Sequence, residues 1–296
     1  MEDIKLLCGD CLVEMDKLID SGVKVDAVIV DPPYVGMVSE KWDRKTEAEA
    51  DNFFSLSIEK SEKLLRYGGR LIIFGSNRTQ GNIFPNLSKN DLLHRELITI
   101  DKGIQVVAGR NTKQYKMHPN CTELINISTK FAASYTKKLL LEINKNNHNF
   151  SSKEVNEKLG VKSNGGGMWS IYTGNNICRQ VPTKEKWVKF QTIFNELVDF
   201  ETFEEVFNIK KGIYNIFKDY KFKIKNRCHP TQKPIELMEY LIKTYTNENE
   251  LILDFCMGSG TTILAAKNLN RRAIGIELDE NYFNIAKDRI GYGKVV

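Results

Sequence analysis

Three short stretches of this 296-residue chain hold the residue types that do chemistry. The first is Asp31-Pro32-Pro33-Tyr34, which offers a hydrogen-bond acceptor, a held backbone carbonyl and a flat stacking face. The second is Asp254-Phe255-Cys256-Met257-Gly258-Ser259-Gly260-Thr261-Thr262, with Glu277 further on. Glycines let a backbone approach a ligand closely, and a helix N-terminus presents unsatisfied N–H groups. A carboxylate can take two ribose hydroxyls with its two oxygens. This is not the usual dinucleotide fingerprint, because Gly-Ser-Gly is followed at once by Thr-Thr, and a lone glycine loop is a weak signal. The third is His229-Pro230-Thr231-Gln232-Lys233-Pro234.

The flanking patterns say where these loops sit. Residues 25–30 form a continuous apolar run, the signature of a buried strand of a parallel sheet. Two prolines directly after it stop the ladder, since proline has no N–H and a fixed φ. The tetrapeptide is thus a rigid loop at the carboxyl end of a strand, the edge where open α/β sheets bind ligands. Residues 251–254 read as a strand, 255–262 as a loop entering a helix, 272–276 as the next strand ending in Glu277, and 280–290 as a helix. Pro234 stands at the first turn of a helix over 235–245. Toward the N-terminus, a strand over 4–7 is followed by Gly9-Asp10 and a helix over 12–19. There Asp10 is either the N-cap of that helix or an acceptor for a polar ligand group.

A helix over 47–66 carries the stripe Phe53, Phe54, Ser57, Ile58, Leu64 and Leu65, and Gly68-Gly69 ends it. Strands follow over 70–74, 96–101 and 121–127. The alternation of strand and helix predicts a doubly wound α/β sheet. Residues 102–120, with Arg110, Lys113, Lys116 and His118, read as a basic loop near its ligand edge.

Near residue 131 the character changes, dividing the chain into 1–130, an insert over 131–227, and 228–296. From Phe131 to Cys228 there are 17 Lys+Arg against 10 Asp+Glu, in a chain whose net charge is only +5. A basic insert in a neutral to acidic frame suits a protein that touches a polyanion with one part. A short helix over 152–159 and a turn at Gly160 faintly suggest a helix-turn-helix. Gly165-Gly166-Gly167 breaks regular structure. Trp169, Tyr172, Arg179 and Gln180 are candidate base contacts, or else the core of the insert. A helix over 184–198 is apolar along Trp187, Phe190, Ile193, Phe194 and Leu197. Residues 210–227 interleave aromatics with lysines, as for a nucleic-acid backbone or a strand pair with its lysines outward.

No run of about 18 apolar residues is present, which excludes a membrane-spanning helix of the usual length. The first residues lack a basic segment followed by an apolar one, so a cytoplasmic protein is expected. Six cysteines are scattered along the chain, and Cys8-x-x-Cys11 has no second Cys/His pair to complete a zinc site. No metal and no disulfide are expected.

Asp-Pro-Pro-Tyr, His-Pro-Thr-Gln-Lys-Pro and Gly-Ser-Gly-Thr-Thr together resemble the motifs of DNA amino-methyltransferases. Their order, catalytic loop first and cofactor loop last, resembles the β arrangement of that family. The resemblance covers residues 4–127 and 229–290 but not the insert. It implies a circularly permuted Rossmann-like sheet with an inserted target-recognition region. It further implies S-adenosylmethionine as cofactor, double-stranded DNA as substrate, methylation of an exocyclic NH2 on a flipped base, a setting such as restriction-modification, and a homodimer by analogy. Asp31, Pro32, Pro33 and Tyr34 are then the catalytic loop. Asp10, Thr231, Gln232, Lys233, Asp254, Phe255, Gly258, Ser259, Gly260 and Glu277 are the cofactor-binding set, with Lys233 and its neighbours on the methionine carboxylate. The chain departs from the family at Cys256, where a phenylalanine is usual; Phe255 is expected to take over that contact. Asp at the head of the tetrapeptide resembles adenine-N6 enzymes, with cytosine N4 as the alternative. An RNA or protein methyltransferase of the same fold, and a silent DNA-binding protein, are the remaining readings.

Overall fold

Val28, Ile29 and Val30 are wholly buried because their strand has sheet neighbours on both edges and apolar layers on both faces. The structure, a computed structural model, describes residues 3–33, 46–102, 122–161, 167–174, 180–209, 215–217, 224 and 227–291. Contacts divide the chain into two units, residues 1–130 with 205–296, and residues 131–204.

The first unit is built on strands β1 (Ile4–Cys8), β2 (Val25–Val30), β3 (Leu65–Gly75), β4 (Leu92–Asp101), β5 (Thr122–Lys130), β6 (Ile216–Phe217), β7 (Leu251–Asp254) and β8 (Arg272–Glu277). They lie in the order β1-β8-β7-β2-β3-β5-β4-β6. All described pairings are parallel except those of β5, which runs antiparallel to both neighbours. Helices α1 (Cys11–Asp20), α2 (Glu47–Leu64) and α3 (Asn77–Lys89) contribute Met15, Phe54, Ile58 and Ile83 to one apolar layer. Three helices that follow the second unit in sequence supply the other layer, through Leu237, Leu241, Ile263 and Ala286. The side-chain period of two in a strand sends Val28 and Val30 to the first layer and Ala27 and Ile29 to the second. α2 begins with a capping box between Thr46 and Glu49, and α3 with one between Ser76 and Thr79.

The second unit is helical: α4 (Ala133–Ile143), a π-helical turn Asn144–His148, α5 (Ser152–Lys158), α6 (Gly167–Thr173) and α7 (Lys184–Gln191). Its core is aromatic. Trp169, Tyr172, Trp187, Phe190, Phe194 and Phe203 are buried, with Trp187 and Phe203 edge to face at 4.8 Å. Trp187 Nε1–H donates to the Val198 carbonyl at 2.8 Å, which satisfies the one polar atom of that ring. Trp169 and Tyr172 are therefore core residues of this unit, and Gln180 is exposed.

The expected helix over 184–198 ends at Gln191, and turns beyond it keep Phe194 and Leu197 buried. The insert was expected to run to residue 227, whereas the second unit stops at Glu204. Glu205 pairs with Arg70 and Arg95 of the sheet unit, and β6 adds to the edge of β4. Arg179, most of the basic loop over 102–120, and most of 210–226 lie outside the described residues. No described helix is long and apolar enough to cross a membrane.

Candidate active site

The site is assembled by four neighbouring strands that run parallel, β1, β8, β7 and β2, so their carboxyl ends share one edge. Gly9 follows β1 and donates its amide hydrogen to the Glu277 carbonyl at 2.9 Å. Asp10 caps α1, accepting from the amides of Leu12 at 2.8 Å and Val13 at 3.2 Å. Asp31 follows β2, with Pro32 buried beside it. Tyr34 lies outside the described residues.

The glycine loop joins β7 to helix α9 (Thr261–Asn268). Gly258 and Gly260 both take left-handed backbone angles, with φ of 52° and 76°. The Gly258 amide donates to Glu277 Oε2 at 2.9 Å, and Glu277 Oε1 accepts from Asp279 at 2.9 Å. Burial pushes the Glu277 carboxyl above the ordinary range, against the lowering effect of those amides. Each of its oxygens still has a second lone pair with which to take a ligand hydroxyl. Ser259 is buried, and Arg289 of helix α10 (Glu280–Ile290) donates to its carbonyl, its Oγ and Thr261 Oγ1. Arg289 was not expected from the sequence; a basic residue in the last turn of a helix is ordinarily solvent-facing.

Asp254 is buried and accepts from the Cys256 amide at 3.1 Å. Burial pushes its carboxyl up to about 7, with the charges of Asp31 and Glu277 adding to the rise. Phe255 corrects an expectation. It is 1% exposed and packs in the layer with Met15, Val28 and Phe54, its ring 6.5 Å from that of Phe53. Strand parity sends it inward, so the ring is taken up by the core. Cys256 stands half-buried on the next position, its thiol pushed up by the Cys11 side chain and by burial, which keeps it protonated.

The third motif precedes helix α8 (Ile235–Tyr245). Thr231 donates to His229 Nδ1 from its amide, at 3.3 Å, and lies 3.1 Å from it through Oγ1. The His229 ring lies edge to face with Tyr282 at 4.2 Å, and a Cβ on Gly258 would come within 3.4 Å of it. Burial, with Lys233 nearby, pushes its imidazole down to about 4, so it is neutral at neutral pH. Gln232 is turned away, its Oε1 accepting from the Cys228 amide at 3.1 Å. Lys233 is buried and ion-paired to Asp31 and, at 3.1 Å, to Glu123. Glu123 was missed by sequence reading; the one signal was an acid next to the start of a strand.

The loop thus brings Gly258 against the neutral His229 ring, with its amide held by the acid at the end of β8. This donor and acceptor set fits a nucleoside-type cofactor. Among the described residues no cluster of three or more metal-ligating side chains occurs.

A family model described as DNA methylase, N6_N4_Mtase, matches residues 25–288. The type II methyltransferase M.HindIII of Haemophilus influenzae is 43% identical over 90 residues, 29% of this chain and 29% of the relative's own length. Two solved structures share the fold. The S-adenosylmethionine complex of M1.HpyAVI superposes with a TM-score of 0.60 at 23% identity, covering 97% of this chain and 98% of the other. The cytosine-N4-specific PvuII DNA methyltransferase does so with a TM-score of 0.56 at 13% identity, covering 99% and 90%.

Proposed function

The chain belongs to the N6/N4 family of DNA methylases, and on that premise we propose that it transfers a methyl group from S-adenosylmethionine to N6 of adenine in double-stranded DNA. The observation that carries this reading is the juxtaposition of Asp31, at the end of β2, with the glycine loop that follows the adjacent strand β7. A target amine and a methyl donor held at those two ends would meet at one sheet edge.

An exocyclic amine conjugated with its ring is a poor nucleophile. Asp31 would accept one hydrogen of the NH2 and the Pro32 carbonyl the other, holding the nitrogen toward sp3 geometry and stabilising its growing positive charge. Tyr34 would stack on a base swung out of the duplex. The cofactor, when bound, supplies an electrophilic methyl group. Glu277 would accept its ribose hydroxyls, and Gly258 would leave room for it, with Ser259 and Gly260 holding the loop in place from beneath. Asp10 and Thr231 flank the same edge. No step needs a covalent enzyme intermediate.

Residues 131–204, which form a separate unit, are proposed to read the target sequence together with residues 205–228, where most of the excess of basic residues lies. The choice of adenine rests on Asp31 at the head of the tetrapeptide; the fold does not choose, because a cytosine-N4 enzyme shares it. The test is to incubate the protein with labelled cofactor and DNA, digest to nucleosides and identify the product by mass. N6-methyladenine is expected. N4-methylcytosine alone would overturn the base while keeping the reaction, and no transfer to any DNA would overturn the reading. By analogy the protein is also proposed to dimerise, which sedimentation equilibrium checks.

A further inference from the structure

We infer that Lys233 is a positioning residue for Asp31 and that Glu123 in turn positions Lys233, an assignment that rests on the methyl-transfer reading above. The three residues come from distant parts of the chain: the end of β2, the beginning of β5 and the loop before α8. The sheet brings them together. β3 lies between β2 and β5, and the Lys233 ammonium sits 5.1 Å from the ring of Phe74 on β3, with Asp31 on one side and Glu123 on the other. Lys102 contacts the far oxygen of Glu123 at 3.2 Å. The charges therefore alternate, Lys102, Glu123, Lys233, Asp31, from a partly exposed lysine inward to the catalytic loop.

This arrangement has features that a chance ion pair lacks. Glu123 is 2% exposed and Lys233 9%. Burying two such charges is costly unless each is paired, and breaking one pairing leaves the other charge stranded. Burial opposes the Lys233 charge, but Asp31 and Glu123 outweigh it and hold the ammonium above the ordinary lysine value. A buried ammonium ion-paired on both sides does two things for Asp31. It fixes the carboxylate before the target arrives, which is what preorganised electrostatic stabilisation requires. It also favours the ionised form, against the like charges of Glu123 on β5 and Asp254 on β7 that face the same region. Asp31 is useful to an amine only as an acceptor, so this bias is in the direction the reaction needs. The competing role for Lys233 is the cofactor's carboxylate, and the two roles predict different losses.

The experiment uses full-length Lys233→Gln, Lys233→Arg and Glu123→Gln, with cofactor affinity by calorimetry and single-turnover methyl transfer to DNA between about pH 5 and pH 9. Lys233→Gln is expected to slow transfer at saturating cofactor by about a hundredfold or more. The acid limb of its pH profile should move to higher pH, while cofactor Kd changes by less than about threefold. Lys233→Arg should restore the position of the acid limb. Glu123→Gln, which is isosteric, should slow transfer by about tenfold with cofactor Kd unchanged; it decides the matter if Lys233→Gln does not fold, and a wild-type rate in it overturns the inference. A cofactor Kd loosened about tenfold or more in Lys233→Gln, with an unchanged saturated rate, also overturns it and returns Lys233 to the cofactor. An active wild type with fully active variants sinks the inference alone, whereas a wild type that methylates no DNA sinks the reading beneath it.

Discussion

Glu277 is tied to Gly258: its Oε2 accepts the glycine amide hydrogen at 2.9 Å, so the acid at the end of β8 and the loop after β7 form one piece. Its other oxygen holds the Asp279 amide, at the N-cap of α10. Glu277→Ala is expected to weaken cofactor binding by roughly 1–3 kcal/mol, the range for losing hydrogen bonds to a charged group. Glu277→Gln, which keeps one acceptor, should cost less. Calorimetric titration with S-adenosylmethionine checks both, and unchanged affinity in the alanine variant would place the ribose elsewhere.

Asp31→Ala is expected to abolish methyl transfer while leaving cofactor affinity within about 1 kcal/mol of wild type, because Asp31 is proposed to meet the target amine rather than the cofactor. The check is labelled-methyl incorporation beside a cofactor titration. Substantial turnover in this variant would refute the proposed role of the carboxylate.

Asp254 links stability to pH. Its carboxyl is pushed from an ordinary 3.8 up to about 7. The folded protein thus holds this proton more tightly than the unfolded chain, and stability is lost as pH rises through that window. Asp254→Asn removes the titration and keeps an acceptor for the Cys256 amide. Its stability gain should grow from about pH 4 to about pH 7, level off above, and reach at most about 4 kcal/mol. Denaturant midpoints at acid and alkaline pH measure it; a gain independent of pH would show that Asp254 is ionised throughout.

Gly260→Ala should destabilise the protein by about 1–3 kcal/mol. The residue has φ 76°, and an added Cβ would lie 2.9 Å from Ala286 Cβ and Ile290 Cδ1. Gly81→Ala is the contrast: the site is helical and nothing lies within 4 Å, so a gain of about 0.5–1 kcal/mol is expected. Thermal unfolding of the pair compares them directly.

Replacing residues 131–204 by a short linker should leave cofactor binding and remove sequence-specific DNA methylation. In the full chain, DNA affinity should fall steeply with salt if lysines contact phosphates. A flat dependence would mark the basic residues as a solvated surface.

Much of this fold was legible because the central strands are apolar runs bounded by turn residues. The helix over 235–245 matches its observed bounds, since Pro234 marks its start. α3 was hidden by Gly81 and Pro85 within it, two residues that ordinarily argue against a helix. The antiparallel sense of β5 was not readable either, because local pattern does not encode direction. At the site, spacing identified Asp31, Gly258 and Glu277 as loop and strand-end residues. It could not show that Lys233 turns to Asp31, or that Phe255 turns into the core, because both depend on partners far along the chain. Glu123 and Arg289 escaped for the same reason.

The position of β2 between β3 and β7 has a consequence for how the chain is made. During synthesis β2 emerges early and can pair with β3, but its other edge must wait until residues 251–254 have left the ribosome. β1 waits equally for β8. Until then the nascent protein carries an apolar strand with an open edge, the kind of surface that invites wrong pairing. High sequence separation also makes closure slow, because loop entropy is spent before the contact forms. Translation speed between β3 and β7 would therefore set how long the half-made sheet stays exposed.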